Sequence, residues 1–176
     1  MTILEQTPAR ALASIESSPT LFRTLLSGLD EESLHAREAP DTWSPFDVLG
    51  HMLHCEHEDW IPRFQRMLEY GEDKPFDAFD PDGHLEFCKG LDLEARLVQF
   101  ETTRARSLEW LRAQPMDHAQ LSRRGTHPTF GSVRFSEMLA TWACHDRVHV
   151  AQVCRILCRQ ATDAVGPWRA FLPILG

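Results

Sequence analysis

Apolar residues recur every three or four positions over four long stretches of the chain, which is the spacing of amphipathic helices. No stretch alternates between apolar and polar residues as a strand would. Helices are therefore expected over about residues 18–28, 44–70, 92–114, and from between 132 and 136 to about 160. A weakly amphipathic lead-in precedes them, with a short helix expected over residues 9–17.

Local signals mark the ends of two of these helices. Ser44 can cap the second helix, Pro45 suits its first turn, and Asp47 can return a hydrogen bond to the cap. Pro62 lies inside the same helix and predicts a kink, because proline removes a backbone donor. The Ser18-Pro19 pair resembles an N-cap followed by proline and is the expected start of the first helix.

Two long connections separate the helices. Residues 71–90 are rich in Gly, Pro and acidic residues and are long enough to run the length of a bundle, which would make the second and third helices parallel. Residues 115–131 form a second loop, and the apolar tail over residues 166–173 should pack on the bundle. The sequence predicts an all-α four-helix bundle with a long crossover between helices 2 and 3, as a single domain over residues 1–176.

Composition narrows the class of protein. The chain has 176 residues, 43% of them hydrophobic, and a net charge of −8, which argues against a nucleic-acid partner. Its five cysteines lack paired spacing, and neither a leader nor a long apolar run is visible. We expect a cytoplasmic protein without a membrane partner; whether it forms a homodimer stays open.

The fourth helix carries the candidate chemistry. His145 and His149 are four residues apart, so they lie one turn apart on the face that also carries its apolar residues. Two imidazoles in an apolar stripe need partners. A divalent metal ion is one solution, since HxxxH on a helix can converge on one ion, and ordinary hydrogen bonds between core histidines are the other.

A third ligand would come from the second helix, which offers His51, His54 and His57. The apolar stripe of that helix lies closer to His57 than to His51, and His51 shares a polar strip with Cys55 and Glu58. The periodicity therefore does not favour His51, and the residues alone leave the choice open.

Several short motifs, in order and at typical spacing, resemble the DinB/YfiT-like superfamily from about residue 18 to the end of the chain. They are Trp43-Ser44-Pro45-Phe46-Asp47-Val48-Leu49-Gly50-His51, Glu58-Asp59-Trp60, His127-Pro128, Phe130-Gly131, Trp142, His145-Asp146, His149, Gln152 and Gly166-Pro167-Trp168-Arg169. Members of this family are four-helix bundles with a long crossover after helix 2, and they bind a divalent ion through three histidines. The resemblance implies that the ligands are His51, His145 and His149, with zinc or nickel as the expected metal.

The resemblance also implies two chemistries at one metal position. Members are described as metal-dependent hydrolases, and better understood relatives are transferases or isomerases that use a low-molecular-weight thiol such as bacillithiol or mycothiol. Either would act on a small-molecule substrate. The alternative is a metal-binding bundle without catalysis, serving as a stress-response scaffold or sensor.

Five further residues have candidate roles beside the site. Asp146 and Glu58 could orient a ligand or act as a general base, although the plainer interpretation of each is a solvated carboxylate. Arg104 falls in the apolar stripe of the third helix, so it is expected either to pair with a carboxylate of another helix or to bind an acidic part of a substrate or cofactor. His127 could border the site or pack in its loop, and Cys55 lies near the proposed metal face but is not needed as a ligand.

Overall fold

Four long helical segments carry the fold of the computed structural model, which describes residues 8–175. The α-helices are α1 (Pro8–Leu26), α2 (Glu31–His35), α3 (Pro45–Glu58), α4 (Trp60–Tyr70), α5 (His84–Phe87), α6 (Leu93–Arg112), α7 (His118–Leu121) and α8 (Phe135–Gln160). Strands β1 (Arg124–His127) and β2 (Gly131–Arg134) form a hairpin, and short 3₁₀ helices span Pro81–Gly83, Gly166–Phe171 and Pro173–Leu175. The bundle consists of α1, α3 continued by α4, α6 and α8. None of the helices in residues 8–175 is long and apolar enough to cross a membrane.

The second and third helices of the bundle are parallel. Arg96, near the start of α6, donates to the carbonyl of Phe46 at the start of α3. Near the other end, Trp110 of α6 packs against Phe64 of α4. The crossover therefore returns the chain along the bundle, and the predicted four-helix architecture with its long connection is confirmed.

The other two helices run the opposite way. On α3 and α4, His51 lies beside His149 while Phe64 lies beside Phe135, so α8 is antiparallel to them. Phe22 of α1 packs edge-on against Phe100 of α6, and Ile15 of α1 meets Arg104 further along α6, so these helices are antiparallel as well. The order of directions is up, down, down, up, which places α8 against the helix that carries His51.

The second helix begins and bends as expected. Ser44 and Asp47 form a reciprocal capping box, and Pro45 occupies the first turn. The helix breaks at Asp59, between α3 and α4. Pro62 explains the break, because it has no N–H to donate to the carbonyl four residues earlier. The helix then stops at Gly71, whose φ of 59° is easily reached only without a side chain.

The first helix differs from the prediction. It is one continuous helix from Pro8, and the Ser18-Pro19 pair lies inside it, with the Ser18 hydroxyl donating to the carbonyl of Ser14. Pro19 leaves the carbonyl of Ile15 without its helical donor. Arg104 donates to that carbonyl at 2.6 Å instead. A proline that resembles a helix start is therefore accommodated by a side chain from another helix.

The connection predicted as a loop over residues 115–131 contains structure that was not foreseen. It includes α7 and the first strand of the antiparallel hairpin, in which His127 is opposite Gly131. Each strand has only four residues, one of which is a glycine, so neither shows an alternation of apolar and polar residues. The hairpin is also held from outside, since Phe76 of the crossover donates its N–H to the carbonyl of Thr126.

The apolar tail packs only in part. Leu175 is buried and its 3₁₀ turn lies against α8. Trp168 and Phe171, however, are 68% and 81% exposed. The expected docking therefore holds for the end of the tail and not for its aromatic residues.

A buried polar layer divides the core into two clusters. Arg104 is 1% exposed, and it donates to Glu56 at 2.8 Å and to Asp146 at 2.6 Å. Burial raises the pKa of Glu56 despite Arg104. For Asp146, burial acts in the same direction, but Arg104 together with His145 and Ser18 holds the pKa below its usual range. This layer ties three long helices together, which is the structural role expected for a guanidinium in an apolar stripe.

Replacing Arg104 with Leu should destabilise the protein strongly. The change leaves two carboxyl groups in the core without their partner, and breaking a buried pair from one side costs about 3–5 kcal/mol. Urea unfolding monitored by circular dichroism measures this. Arg106→Leu, on the exposed side of the same helix, is the matched control and should change stability by no more than about 0.5 kcal/mol. Equal effects of the two changes would contradict the buried layer.

Candidate metal centre

Three histidines from two antiparallel helices meet near the middle of the bundle. His51 comes from α3, and His145 and His149 come from successive turns of α8. One ring nitrogen of each lies within 4.8 Å of those of the other two. The Nε2 atoms of His51 and His145 are 3.2 Å apart. The structure thus brings together the three histidines that the sequence resemblance singled out.

The other two candidates on the second helix lie elsewhere. His54 is buried against Phe79 and against Gly83, where a Cβ atom would come within 2.7 Å of the imidazole. His57 is exposed, with its Nε2 3.4 Å from the hydroxyl of Thr103. The spacing of apolar residues favoured His57 over His51. The face of α3 that carries His51 is buried by the crossover, and the periodicity of the helix alone gives no sign of that contact.

In two of the three imidazoles, the outer nitrogen, which is the ring nitrogen that points away from the cluster, already has a hydrogen-bond partner. Nδ1 of His51 lies 3.2 Å from the carbonyl of Pro81, and Nδ1 of His149 lies 2.8 Å from Oε1 of Gln152. Both oxygens are acceptors, so each Nδ1 carries the proton. In the neutral rings Nε2 then has only a lone pair, directed into the cluster. This is the orientation that a metal-binding imidazole requires, and an outer hydrogen bond of this kind usually accompanies it.

The surroundings of the third imidazole, His145, favour a cluster that holds a cation over one without a cation. Without a cation, His145 would donate from Nε2 to Nε2 of His51, and its Nδ1 would be an acceptor. That Nδ1 is buried, has no hydrogen-bond partner among the described residues, and lies 3.8 Å from a carboxylate oxygen of Asp146. A lone pair facing a carboxylate is unfavourable. With a cation between the Nε2 atoms, Nδ1 carries the proton and its N–H faces Asp146.

The surroundings keep two of the three rings uncharged. Burial, followed by the neighbouring imidazoles, lowers the pKa of His51 to about 3. Burial and His145 together lower the pKa of His149 to about 4. Both rings are therefore neutral near pH 7 and need to release no proton before they bind a metal.

A turn of the crossover fixes His51 from outside the bundle. The carbonyl of Pro81 also accepts from Nδ1 of His84 at 2.9 Å. Trp43 packs on the ring of His51 at 4.5 Å and donates its indole N–H to Asp82 at 3.0 Å. Sequence reasoning assigned no role to Pro81 or Asp82. Only their place in the Pro-rich crossover hinted at one.

A cavity of about 350 Å³ opens beside the cluster. Its walls come from α3, α4, the crossover, the hairpin and the start of α8. The lining residues are His51, Cys55, Asp59, Trp60, Arg63, Phe76, Phe79, Pro81, His127, Phe130, Val133, Glu137, Met138, Thr141 and His145. Most of this surface is apolar, and two of the three clustered histidines form part of it.

Comparison with known proteins agrees with this fold. The family model described as the DinB superfamily matches residues 14–153. The chain belongs to the DinB superfamily. Among solved structures, YfiT from Bacillus subtilis, described as a probable metal-dependent hydrolase with an unusual four-helix bundle topology, superposes with a TM-score of 0.76 at 19% identity, covering 89% of each chain. At that identity the likeness establishes the fold. No curated protein matches the sequence.

Three carboxylates near this site, two of which were expected from the sequence, lie in different environments. Glu58 is exposed and does not line the cavity. Asp146 is 1% exposed, is held by Arg104 and faces His145 from the core. Asp59 was not singled out from the sequence, yet it lines the cavity and is 5% exposed. The helix break at this residue places it on the cavity wall, one position beyond the expected Glu58.

Asp59 is an ion-pair partner with a perturbed acidity. Nε of Arg63 lies 2.6 Å from its Oδ1. Burial raises its pKa above the ordinary value, and Arg63 opposes that shift. Cys55 also reaches the cluster, with its sulfur 3.4 Å from Nε2 of His51, but burial raises the pKa of its thiol. A protonated thiol is a poor metal ligand.

The metal-free protein should lose stability as the pH falls from about 6.5 to 4. Histidines of the unfolded chain bind protons near pH 6.5, whereas His51 and His149 do so only at about 3 and 4. Protons therefore favour the unfolded state across this window. Urea unfolding at several pH values measures the loss, which should be smaller in the double variant His51→Gln, His149→Gln. Nitrogen-15 NMR should show both wild-type rings neutral at pH 5.5; protonation of either ring near pH 6.5 would contradict the account.

Proposed function

We propose that the protein binds one divalent metal ion through Nε2 of His51, His145 and His149, and that it is a metal-dependent hydrolase acting on a small molecule. The observation that supports this most is the convergence of three imidazole nitrogens within 4.8 Å at the wall of an apolar cavity. YfiT, which shares the fold, is described as a probable metal-dependent hydrolase. Three imidazoles suit zinc or nickel and leave coordination positions open.

The donor set fits a divalent ion. Two rings have their protons fixed on the outer nitrogen, and the third has a carboxylate towards which its outer N–H can point. When bound, the ion would supply Lewis acidity, because three neutral ligands leave its charge available to lower the pKa of a coordinated water or thiol. The apolar walls would hold a small substrate and limit the access of bulk water.

The carboxylates have separate parts in this proposal. Asp59 is the cavity carboxylate best placed to accept a proton as general base. Its pKa is raised and therefore lies closer to pH 7 than that of an ordinary carboxyl group, which suits a general base. Asp146 is a positioning residue that orients His145. Glu58, expected in the general-base role, lies outside the cavity and is assigned none. Arg104 has all its nitrogens engaged by Glu56, Asp146 and Ile15, so we assign it to the core rather than to a cofactor.

A low-molecular-weight thiol S-transferase is the second candidate. It is favoured by the same neutral ligand set, which would hold a thiol as its thiolate, and by the apolar cavity that reaches two of the ligands. Bacillithiol and mycothiol are the thiols implied by the family resemblance. A non-catalytic bundle would need neither the cavity nor a carboxylate in its wall. The expected cytoplasmic location and the absence of a nucleic-acid partner stay predictions of the sequence, and whether the protein forms a homodimer stays open.

Changes to the ligands and to their outer partners should have graded effects on metal binding. His149→Ala should abolish stoichiometric zinc. Gln152→Leu should weaken zinc affinity by about 10- to 100-fold, because His149 loses the acceptor that orients it. Gln152→Glu retains an acceptor oxygen and is the matched control, with affinity equal to or above that of the wild type. Competition with a chromophoric chelator measures these affinities. Unchanged zinc binding by His149→Ala would refute the ligand assignment.

Thiol binding separates the two chemistries. For an S-transferase, cobalt-loaded protein titrated with cysteine or with bacillithiol should develop a sulfur-to-metal charge-transfer band and release about one proton per thiol. A hydrolase should instead cleave small apolar esters and amides with the zinc-loaded protein, and Asp59→Asn should lower kcat by about 10²- to 10⁴-fold. A loaded protein that shows neither behaviour would favour the non-catalytic bundle.

A further inference from the structure

We propose that His127 and Arg63 form a carboxylate-binding subsite in the cavity, so that the substrate is a small, largely apolar molecule carrying a carboxylate. The inference rests on the proposed function in one respect, since it takes this cavity as the substrate site. The subsite itself is built from residues that are not metal ligands. It lies on the walls formed by the hairpin and α4, whereas the histidine cluster lies on the walls formed by α3 and α8.

The hairpin turn fixes the protonation of His127. Nδ1 of this ring accepts the backbone N–H groups of Thr129 at 3.1 Å and Phe130 at 3.3 Å. A nitrogen that accepts two hydrogen bonds carries no proton, so in the neutral ring the proton is on Nε2. Nε2 has no hydrogen-bond partner among residues 8–175 and belongs to a residue that lines the cavity. His127 therefore offers the cavity a donor of fixed identity.

Packing and charge maintain that state. The ring stacks on Phe130 with centroids 4.5 Å apart and meets Phe76 edge-on at 6.3 Å. Burial and the nearby charge of Arg63 lower the pKa of His127. The imidazole is therefore neutral near pH 7, and its N–H group is held in place by the turn and by two aromatic rings.

Arg63 supplies further donors next to it. Only Nε is engaged, by Asp59, and the described part of the chain provides no hydrogen-bond partner for either terminal nitrogen. The guanidinium carbon lies 5.7 Å from the ring centroid of Phe76, the same ring that His127 contacts. The guanidinium and the imidazole of His127 thus both lie against one aromatic ring. A planar carboxylate is the group that a guanidinium recognises best, through paired charge-assisted hydrogen bonds.

The rest of the cavity selects for an apolar body. Aromatic and aliphatic side chains form most of its surface, namely Trp60, Phe76, Phe79, Phe130, Val133 and Met138. Glu137 also lines it, but one of its oxygens accepts the backbone N–H of Arg134 at the start of α8. Asp59 balances the single positive charge of Arg63, which leaves the terminal nitrogens of the guanidinium as free hydrogen-bond donors. Among the described residues of the cavity wall, the free donors of Arg63 and His127 therefore lack a counterpart, and so does the buried indole N–H of Trp60.

The alternative is that His127 only stabilises the hairpin turn. Two substitutions separate the roles, because Asn places an acceptor near the position of Nδ1 and Gln places an N–H near that of Nε2. His127→Asn should retain the turn and remove the cavity donor. His127→Gln should retain the donor and loosen the turn.

The test measures binding of 3-phenylpropionate and of the neutral analogue 3-phenylpropan-1-ol by calorimetry, in metal-free and zinc-loaded protein. We expect the carboxylate to bind at least about tenfold more tightly than the alcohol in both forms. His127→Asn should weaken carboxylate binding by about tenfold, as expected for a hydrogen bond to a charged group. Arg63→Gln should weaken it further, His127→Gln should weaken it less, and none should change binding of the alcohol by more than about twofold.

The outcomes also separate this inference from the proposed function. Selective carboxylate binding in a protein that binds no stoichiometric zinc would support the subsite while refuting the metal centre. A carboxylate that binds only the zinc-loaded form, with the same affinity in His127→Asn, would lie on the metal and would overturn the subsite. Equal binding of the two probes would also overturn it.

Discussion

The lone pair on Nε2 of His51 faces Nε2 of His145 at 3.2 Å, and the histidine site depends on how this contact is satisfied. The carbonyl of Pro81 commits the proton of His51 to its outer nitrogen, and Gln152 does the same for His149. Burial prevents the rings from accepting extra protons near pH 7. A cation between them satisfies all three lone pairs and lets His145 turn an N–H towards Asp146. The fold therefore prepares a metal site through its outer hydrogen bonds.

The same contact connects the site to the core. Asp146 is adjacent to His145 in sequence and is held by Arg104, which also binds Glu56 on α3 and the carbonyl that Pro19 leaves free on α1. One guanidinium thus fixes the two helices that carry the histidines relative to each other and to a third helix. The crossover completes the arrangement from the opposite side, where its turn at Pro81 contacts His51. The crossover runs back along the bundle from the end of α4 to the start of α6. This path brings its turn at Pro81 to the site.

Local chemistry in the sequence was enough for much of the bundle. The Ser44 cap, the break caused by Pro62 and the spacing of His145 and His149 each depend on residues within one or two turns. The choice of His51 over His57 came from the family resemblance, because one face of α3 is buried by a crossover about thirty residues away in sequence. The helix start predicted at Pro19 was wrong for a similar reason. The carbonyl that Pro19 leaves free accepts from Arg104, which is on another helix. Asp59 was missed because the helix break changes which residue faces the cavity.

X-ray absorption at the zinc edge of loaded protein distinguishes an open three-histidine centre from other ligand sets. An open three-histidine centre should show three imidazole nitrogens and one exchangeable light atom at about 2.0–2.1 Å, with a spectrum that does not change in Cys55→Ser. Cys55 is the informative control, because its sulfur is 3.4 Å from Nε2 of His51. A sulfur neighbour at about 2.3 Å, or fewer than three imidazole ligands, would contradict an open three-histidine centre.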